Sequence, residues 1–129
     1  MGTFVRTAPV RVNEEAAKCN VMKAISNISL RKILAACCPE AKAVAQLSTE
    51  LGLPLSTTYH YVSELAGAGL LSIERIIITD DGKRYETYRS VVREVRAIIE
   101  SDNVVIEILP NEDVVGRFYR LWSSLKEWT

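Results

Sequence analysis

Apolar side chains recur with a helical period between positions 43 and 71, with a single break. Each of two runs places inward-facing residues at i, i+3 or i+4, and i+7, which is one face of an amphipathic helix. The first run is Val44, Leu47 and Leu51, and the second is Thr58, Val62 and Leu65. The break is Gly52-Leu53-Pro54, where a glycine can end a helix and a proline cannot continue it. The pattern predicts two short helices joined by a tight turn.

The second of these helices has a polar outward arc. Ser56 is placed to cap its N-terminus, and the inward face leaves hydrogen-bonding and aromatic side chains on the outside. The outward residues are Ser56, Thr57, Tyr59, His60 and Ser63. Two helices crossing at a tight turn form a helix-turn-helix, which holds its second helix clear to enter the major groove of DNA. An ordinary pair of packed helices with a polar outer face fits the same pattern.

A strand-like segment follows the helices. Leu70 to Ile78 is rich in β-branched residues, and Arg84 to Tyr88 alternates polar and aromatic ones. Asp81-Gly82 lies between the two runs, and this dipeptide is the strongest short-range signal for a β-hairpin. A hairpin directly after a helix-turn-helix is a wing, so this segment favours the DNA-binding interpretation.

Over Ile28 to Ser90 the chain resembles the winged helix-turn-helix of ArsR-like transcriptional regulators, especially small archaeal ones. The segments that carry the resemblance are SNISLRKILAAC, VAQLSTELGLPLSTTYHYVSELAGAGLL and TDDGKRYETYRS. It implies a homodimer that binds double-stranded DNA, with the recognition helix in the major groove and the wing on the flanking backbone. The predicted DNA contacts are Lys42, Ser56, Thr57, Tyr59, His60, Ser63, Lys83 and Arg84.

Two further helices are expected before the motif. Asn13 is a candidate N-cap for the first, and Ser29 for the second, which Pro39 should stop. Their apolar stripes are Ala17, Val21, Ala24 and Ile25, then Ile33, Leu34 and Cys37. Residues 1–12 show no clear period and are expected to form an arm or an edge strand. We expect a winged helix-turn-helix domain over residues 13–90.

Residues 91–109 allow two interpretations. The valines and isoleucines of residues 91–99 fit a helical period, yet Val104 to Leu109 has the composition of a strand, and a lone strand needs a partner. Ser101-Asp102-Asn103 is good turn chemistry. We therefore predict a second hairpin, with Val92–Glu100 paired to Val104–Leu109, as in the archaeal relatives. The fold class is α+β, and residues 91–129 are expected to form the hairpin and a C-terminal helix for dimerisation.

The C-terminal helix should begin near Pro110-Asn111 and carries a wide apolar stripe. Its predicted dimer contacts are Val114, Phe118, Leu121, Trp122 and Leu125. An aromatic stripe of this width is a solubility liability if it is left exposed, and a second copy would cover it. The alternative is that the stripe packs on its own domain.

The charge of the chain weakens the DNA-binding interpretation. The 16 basic and 16 acidic side chains cancel, and residues 33–90 carry five basic and seven acidic groups. A DNA-binding domain usually shows a basic footprint. A dimer or a locally basic face would reconcile the two observations. The alternative function is a winged-helix module that binds protein and not DNA.

Other site classes find little support. The adjacent Cys37 and Cys38 cannot readily chelate one ion, Cys19 is distant, and His60 is the only histidine, so we expect buried, reduced thiols and no metal site. No phosphate loop, HExxH or GxSxG occurs, so neither an enzyme nor a cofactor is expected, and no effector is indicated. No apolar run is long enough to span a membrane and no signal peptide is evident, which predicts a cytoplasmic protein.

Overall fold

The computed structural model describes residues 8–126, with side chains as far as residue 123. Strand β1 and helices α1 and α2 come first, at Val10–Val12, Glu15–Ser26 and Ile28–Ala36. The central part comprises β2 (Lys42–Ala43), α3 (Val44–Leu51), α4 (Leu55–Gly67), β3 (Leu71–Ile78) and β4 (Arg84–Ser90). The chain continues through β5 (Val92–Glu100), β6 (Asn103–Pro110), a 3₁₀ turn (Glu112–Val114) and α5 (Val115–Lys126).

The strands form two antiparallel sheets of three strands each. One has the order β2-β4-β3 and contains the wing, and the other has the order β1-β6-β5. The second hairpin is confirmed, since Glu100 pairs with Asn103 and Ile98 with Val105. Strand β1 pairs with β6, which selects the edge strand over the loose arm for the residues that lie in it. The fold is the α+β winged helix-turn-helix that the sequence predicts.

One hydrophobic core joins the helix-turn-helix to the C-terminal segment. It contains Leu47 of α3, Leu65 of α4, Ile106 of β6 and Phe118 of α5, all at or below 1 % exposure. The inward faces that the sequence assigns to α3 and α4 are therefore confirmed. The winged helix-turn-helix before position 90 and the hairpin and helix after it therefore share a single core.

A buried arginine ties the base of the wing to the C-terminal segment. Arg89 of β4 is 8 % exposed, and its Nε donates to the carbonyl oxygen of Cys38 at 3.0 Å. Its Nη2 donates to Asp113 at 2.9 Å, and Glu74 lies 3.6 Å from Nη1. Asn111 adds hydrogen bonds to the carbonyls of Cys38 and Ser90 at 3.1 and 2.9 Å. Because a buried charge is costly unless it is paired, these partners hold the Arg89 side chain in place between the base of the wing and the C-terminal segment.

The helix caps differ from the predicted ones. Asn27, and not Ser29, caps α2, because its side-chain oxygen accepts from the N–H groups of Ser29 and Leu30 at 2.8 and 3.1 Å. Helix α1 begins at Glu15 without a side-chain cap, so Asn13 does not have that role. Helix α2 ends at Ala36, before Pro39 is reached. A cap must lie directly before the first helical residue, so an error of one or two residues in a predicted boundary changes which side chain has that role.

Candidate DNA-binding surface

The turn between α3 and α4 holds the two helices in a fixed relation. Gly52 ends α3 with φ at 65°, in the left-handed region that glycine adopts without a steric penalty. The N–H of Leu53 donates to the Ser48 carbonyl at 3.1 Å, and the Ser48 hydroxyl donates back to the Leu53 carbonyl at 2.6 Å. The predicted tight turn is confirmed, with Ser48 as a clamp that the pattern does not indicate.

Helix α4 is anchored by its inner face. Thr58, Val62 and Leu65 are at most 2 % exposed, and the Thr58 hydroxyl donates to the Pro54 carbonyl at 2.9 Å. The helix begins at Leu55, after Pro54, and no side chain caps it. Ser56 therefore lies inside the first turn, and its predicted role as N-cap is wrong.

The predicted outward arc faces solvent. Ser56, Tyr59, His60 and Ser63 are exposed, and Thr57 is half-buried. Tyr59 is 57 % exposed, which is high for an aromatic side chain, and the His60 side chain is 70 % exposed. These short hydrogen-bonding and aromatic groups stand on one face of a helix whose opposite face is fixed in the core. Such a face can read base edges in the major groove.

The tip of the wing is held by its own hydrogen bonds. The Thr79 N–H donates to the Lys83 carbonyl at 2.8 Å, and Gly82 closes the turn onto the Thr79 carbonyl at 2.9 Å. The Thr79 hydroxyl also donates to the Asp81 carboxylate, which lowers the pKa of Asp81 below its usual range. Lys83 and Arg84 project from this ordered tip as exposed side chains.

Both cations at the tip of the wing, and the imidazole of His60 on α4, have a carboxylate nearby. Lys83 Nζ lies 3.9 Å from Asp81, and Arg84 Nη2 lies 3.6 Å from Glu86. His60 Nε2 on α4 is 3.9 Å from Glu64. Exposed pairs of this kind are weak, so the cations remain available, yet the surface has no net basic charge of its own. The locally basic face that would reconcile the neutral composition is absent from these described residues.

Lys42 differs most from its predicted role. It lies in β2, its side chain is only 13 % exposed, and Nζ is 2.6 Å from Glu50. The hydrogen bond that Lys42 donates to the Glu50 carboxylate raises the pKa of Lys42. Lys42 therefore holds β2 to α3, and the structure does not bring its ammonium group into the surface that α4 and the wing form.

A groove between α4 and the wing contains two tyrosines, Tyr85 and Tyr88, that the sequence pattern does not single out as site residues. A cavity of about 600 Å³ is lined by Tyr59, Tyr85 and Tyr88, together with Arg84 and the start of α3. Tyr85 is 40 % exposed, and burial raises the pKa of Tyr88. Position in the strand could have indicated Tyr85, because it lies next to Arg84 near the wing tip, but its proximity to α4 depends on the tertiary fold.

The C-terminal helix turns its aromatic stripe onto its own chain. Phe118 is fully buried, Trp122 is 8 % exposed, and the Trp122 Nε1 donates to the Gly69 carbonyl at 2.9 Å. Val114 and Leu121 are half-buried against the same core, and the side chain of Leu125 lies outside the described residues. The inference that Phe118 and Trp122 need a second copy to cover them is therefore wrong, because both side chains are already buried in the core of one chain.

The three cysteines differ in how far they are exposed to solvent. Cys37 is fully buried, and burial raises the pKa of its thiol to about 12. Cys38 is half-buried, whereas Cys19 is exposed on α1, contrary to the expectation of buried thiols throughout. Within residues 8–126 no group of three or more His, Cys, Asp or Glu side chains could hold a metal ion.

Comparison with known proteins identifies the helix-turn-helix. Residues 32–73 match the model of the IclR helix-turn-helix domain. The match runs from within α2 to the first residues of β3 and covers about a third of the chain. No curated protein sequence shows significant similarity to the chain. Across the described residues, no helix is both long and apolar enough to cross a membrane.

Two solved structures of HlyU from Vibrio cholerae N16961 are similar at a distant level. One is described as reduced HlyU, and each is 20 % identical with a TM-score of 0.41. Each covers 82 % of this chain, with 85 % and 88 % of the HlyU chain covered. Similarity at this level carries no argument about function. The helix-turn-helix match itself supports a DNA-binding transcription regulator, which is not an enzyme.

Proposed function

We propose that this protein is a sequence-specific transcriptional regulator of the ArsR-like winged-helix type that binds double-stranded DNA as a homodimer in the cytoplasm. Helix α4 lies in the major groove and the wing lies on the flanking backbone. The residues of α4 that face the bases are Ser56, Thr57, Tyr59, His60 and Ser63. Lys83 and Arg84 of the wing contact phosphates. Two copies bind half-sites that lie about one helical turn apart.

The observation that carries this proposal is the exposed arc of α4 beside an ordered wing. Tyr59 and His60 are well exposed on a helix whose inner face is anchored by Thr58, Val62 and Leu65. An apolar inner face and a polar outer face are common in helices. A glycine turn before the helix and a hairpin wing after it add the geometry by which a helix is presented to the groove.

Binding to DNA is measured directly. Fluorescence anisotropy with a random duplex at low salt should show weak binding, and selection from a random library should enrich one half-site sequence. The selected duplex should bind at least about a thousandfold more tightly than the random one. Absence of binding to any duplex at low salt would contradict the proposal.

A second candidate function is a protein-binding module, and the ion pairs of the surface favour it. Lys83, Arg84 and His60 each lie within 4 Å of a carboxylate, and the wing exposes Ile76 and Ile78 at 53 % and 71 %. Such a module makes no phosphate contacts and releases no counterions. Any signal that it gives with DNA should therefore not change with salt concentration. The salt series of the anisotropy experiment therefore separates the two functions.

A further inference from the structure

The edge of the second sheet exposes apolar residues that have no cover in the described chain. Strand β5 is the outer strand of the order β1-β6-β5, so one side of its backbone faces away from the sheet. Near the hairpin tip Ile98 is 41 % and Ile99 is 80 % exposed, and Ala97 is exposed as well. Natural edge strands prevent pairing with other chains by charged side chains, especially lysine, by proline and by β-bulges. Strand β5 has no proline or lysine. Its charges are Arg93, Glu94, Arg96 and Glu100, and its bulge lies at the far end from the tip, between Val92 and Glu94.

The free part of this edge is its distal half. Val92 to Val95 border a cavity of about 320 Å³ whose other side is formed by Leu34 and Ala35 of α2 and Ile25 of α1. Helices therefore lie beside the first half of the strand. The segment from Arg96 to Glu100 is not part of this cavity lining and is exposed throughout, so we place the second strand against this half.

The backbone of this half is oriented for pairing. Glu100 and Asn103 pair across the turn residues Ser101 and Asp102, and the closing pair of a two-residue hairpin exchanges backbone hydrogen bonds. The alternation along the strand then directs the N–H and C=O groups of Ile98 towards β6. Those of Ala97 and Ile99 point to the free edge, where a second strand can bind them.

We propose that β5 pairs with β5 of a second copy in antiparallel orientation, centred on Ile98, to form a continuous six-stranded sheet. In this register Ile98 lies opposite Ile98 of the second copy, and Ala97 lies opposite Ile99. Arg96 lies opposite Glu100 on both sides of the two-fold axis. Within one chain Arg96 lies 3.2 Å from Glu94 and Glu100 lies 3.9 Å from Arg11, and both are exposed pairs that can exchange partners. Cross-strand apolar and opposite-charge pairs stabilise a sheet, and the same strand serves both copies, as a two-fold interface requires.

Charge discriminates against the neighbouring registers. A two-fold axis perpendicular to the sheet keeps the same face of both copies on one side, so one strand can slide along the other only in steps of two residues. Each such step moves the residue on the two-fold axis by one position. Centring on Arg96 places two Arg96 side chains opposite each other, and centring on Ala97 places Glu94 opposite Glu100. Centring on Val95 needs the half that the helices border, and centring on Ile99 places Ile98 opposite Glu100. The Ile98 register alone pairs apolar with apolar and Arg with Glu on the free half.

This inference supplies the interface for the homodimer of the proposed function, and its test needs no DNA. The area of a five-residue strand pair is below that of a standard interface, so dissociation in the micromolar range is expected. Sedimentation velocity from micromolar to several hundred micromolar protein should show a monomer converting to a dimer. A wild type that remains monomeric over this range would overturn the inference, while DNA binding would be judged separately by anisotropy.

Two charge reversals test the register. Arg96→Glu places a carboxylate opposite Glu100, and Glu100→Arg places a guanidinium opposite Arg96, so each variant alone should be monomeric. An equimolar mixture of the two restores opposite charges at both cross-strand positions and should form a heterodimer, which native mass spectrometry resolves. Arg93→Glu is the matched control, since Arg93 is similarly exposed on β5, lies outside the register, and pairs with Glu112. It should dimerise like the wild type.

Each outcome decides between this interface and another. Single variants that still dimerise, or a mixture that stays monomeric although both variants keep the wild-type circular dichroism spectrum, would overturn the pairing. Ala97→Pro gives an independent readout, because it removes an N–H that points to the free edge and leaves the β5–β6 hydrogen bonds in place. It should abolish the dimer with the hairpin intact.

Discussion

Helices α4 and α5 both have an apolar face that the periodicity of the sequence predicts, and the two predictions have different outcomes. On α4 the predicted inward face is buried, and the polar arc opposite it is exposed. On α5 the predicted apolar stripe is present, but Phe118 and Trp122 are buried by the same chain. Once the apolar face of a helix is buried, its polar arc is exposed without any further requirement. An apolar stripe needs a cover, and periodicity does not say which molecule provides it.

The largest effect is expected at Trp122. Its replacement by alanine removes an aromatic side chain from the core and the hydrogen bond to the Gly69 carbonyl. The free energy of unfolding should fall by about 3–5 kcal/mol, as for other large-to-small core substitutions. Urea denaturation should show this loss at every protein concentration, because the cover is part of the same chain.

Two comparisons make this prediction specific. Trp122→Phe keeps most of the packing and loses the hydrogen bond, so the cost should be about 1 kcal/mol plus a small packing term. Tyr119 is 46 % exposed and its ring contacts only the edge of this core at Phe118, so Tyr119→Ala should cost clearly less than Trp122→Ala. A Trp122→Ala variant of wild-type stability that fails to dimerise would instead restore the C-terminal helix as the dimer interface.

The parts of the fold that the sequence predicts are governed by short-range physics. Gly52 and Pro54 define the turn, Asp81-Gly82 defines the wing, and an eight-residue window, from i to i+7, defines each inner face. The Arg89 network could not be predicted, because Cys38, Glu74 and Asp113 come together only in the folded chain. The source of the cover over Phe118 is of the same long-range kind.

At the candidate site the pairing of charges was partly accessible from the sequence. Residues two apart on a strand share a face, so Arg84 and Glu86 could have been recognised as neighbours once the strand was assigned. The pairing of Lys42 with Glu50 spans β2 and α3 and depends on where the strand ends. Tyr85 and Tyr88 become part of the surface only when the wing is placed against α4.

The next largest effect is expected on the outward arc of α4. Replacing Tyr59 or His60 with alanine should leave the free energy of unfolding within about 0.5 kcal/mol of wild type, because both side chains are exposed. It should relax sequence preference by about 1–3 kcal/mol at one base pair of the half-site. Anisotropy on a panel of singly substituted duplexes gives both the position and the size of this change.

The exposed Tyr119 of α5 serves as the matched control for Tyr59, since both are solvent-accessible tyrosines on a helix. Tyr119→Ala should leave the preference profile unchanged. An identical profile for wild type, Tyr59→Ala and His60→Ala would show that α4 does not read bases, and the comparison with α5 would lose its functional side.

A smaller effect is expected from the charges of the wing. Replacing Lys83 and Arg84 with alanine should weaken binding to all duplexes alike and reduce the salt slope by about one unit for each phosphate interaction that is removed. Removing the adjacent acids, by Asp81→Asn and Glu86→Gln, should have the opposite sign and strengthen binding to random DNA several-fold, because it removes two negative charges that would repel the phosphates. Equal binding by the wild type and both double variants would exclude the wing from the DNA interface.

The smallest effect is expected at the cysteines, because one of them is exposed to solvent and another is fully buried. Cys19 is exposed and should be alkylated rapidly at pH 8, whereas Cys37 should react only when the protein unfolds. Burial raises the pKa of Cys37 to about 12, so in the unfolded chain the thiol loses its proton at a lower pH than in the folded one. The folded state then binds more protons above about pH 8.5, and stability should fall as pH rises from there towards 12. Urea midpoints of the wild type and of Cys37→Val measured across this range should diverge, with the midpoint of the variant falling less.

Added zinc should change neither the urea midpoint nor DNA affinity in the wild type. Zinc retained through dialysis and lost in Cys37→Ser or Cys38→Ser would contradict the expectation that these thiols are structural.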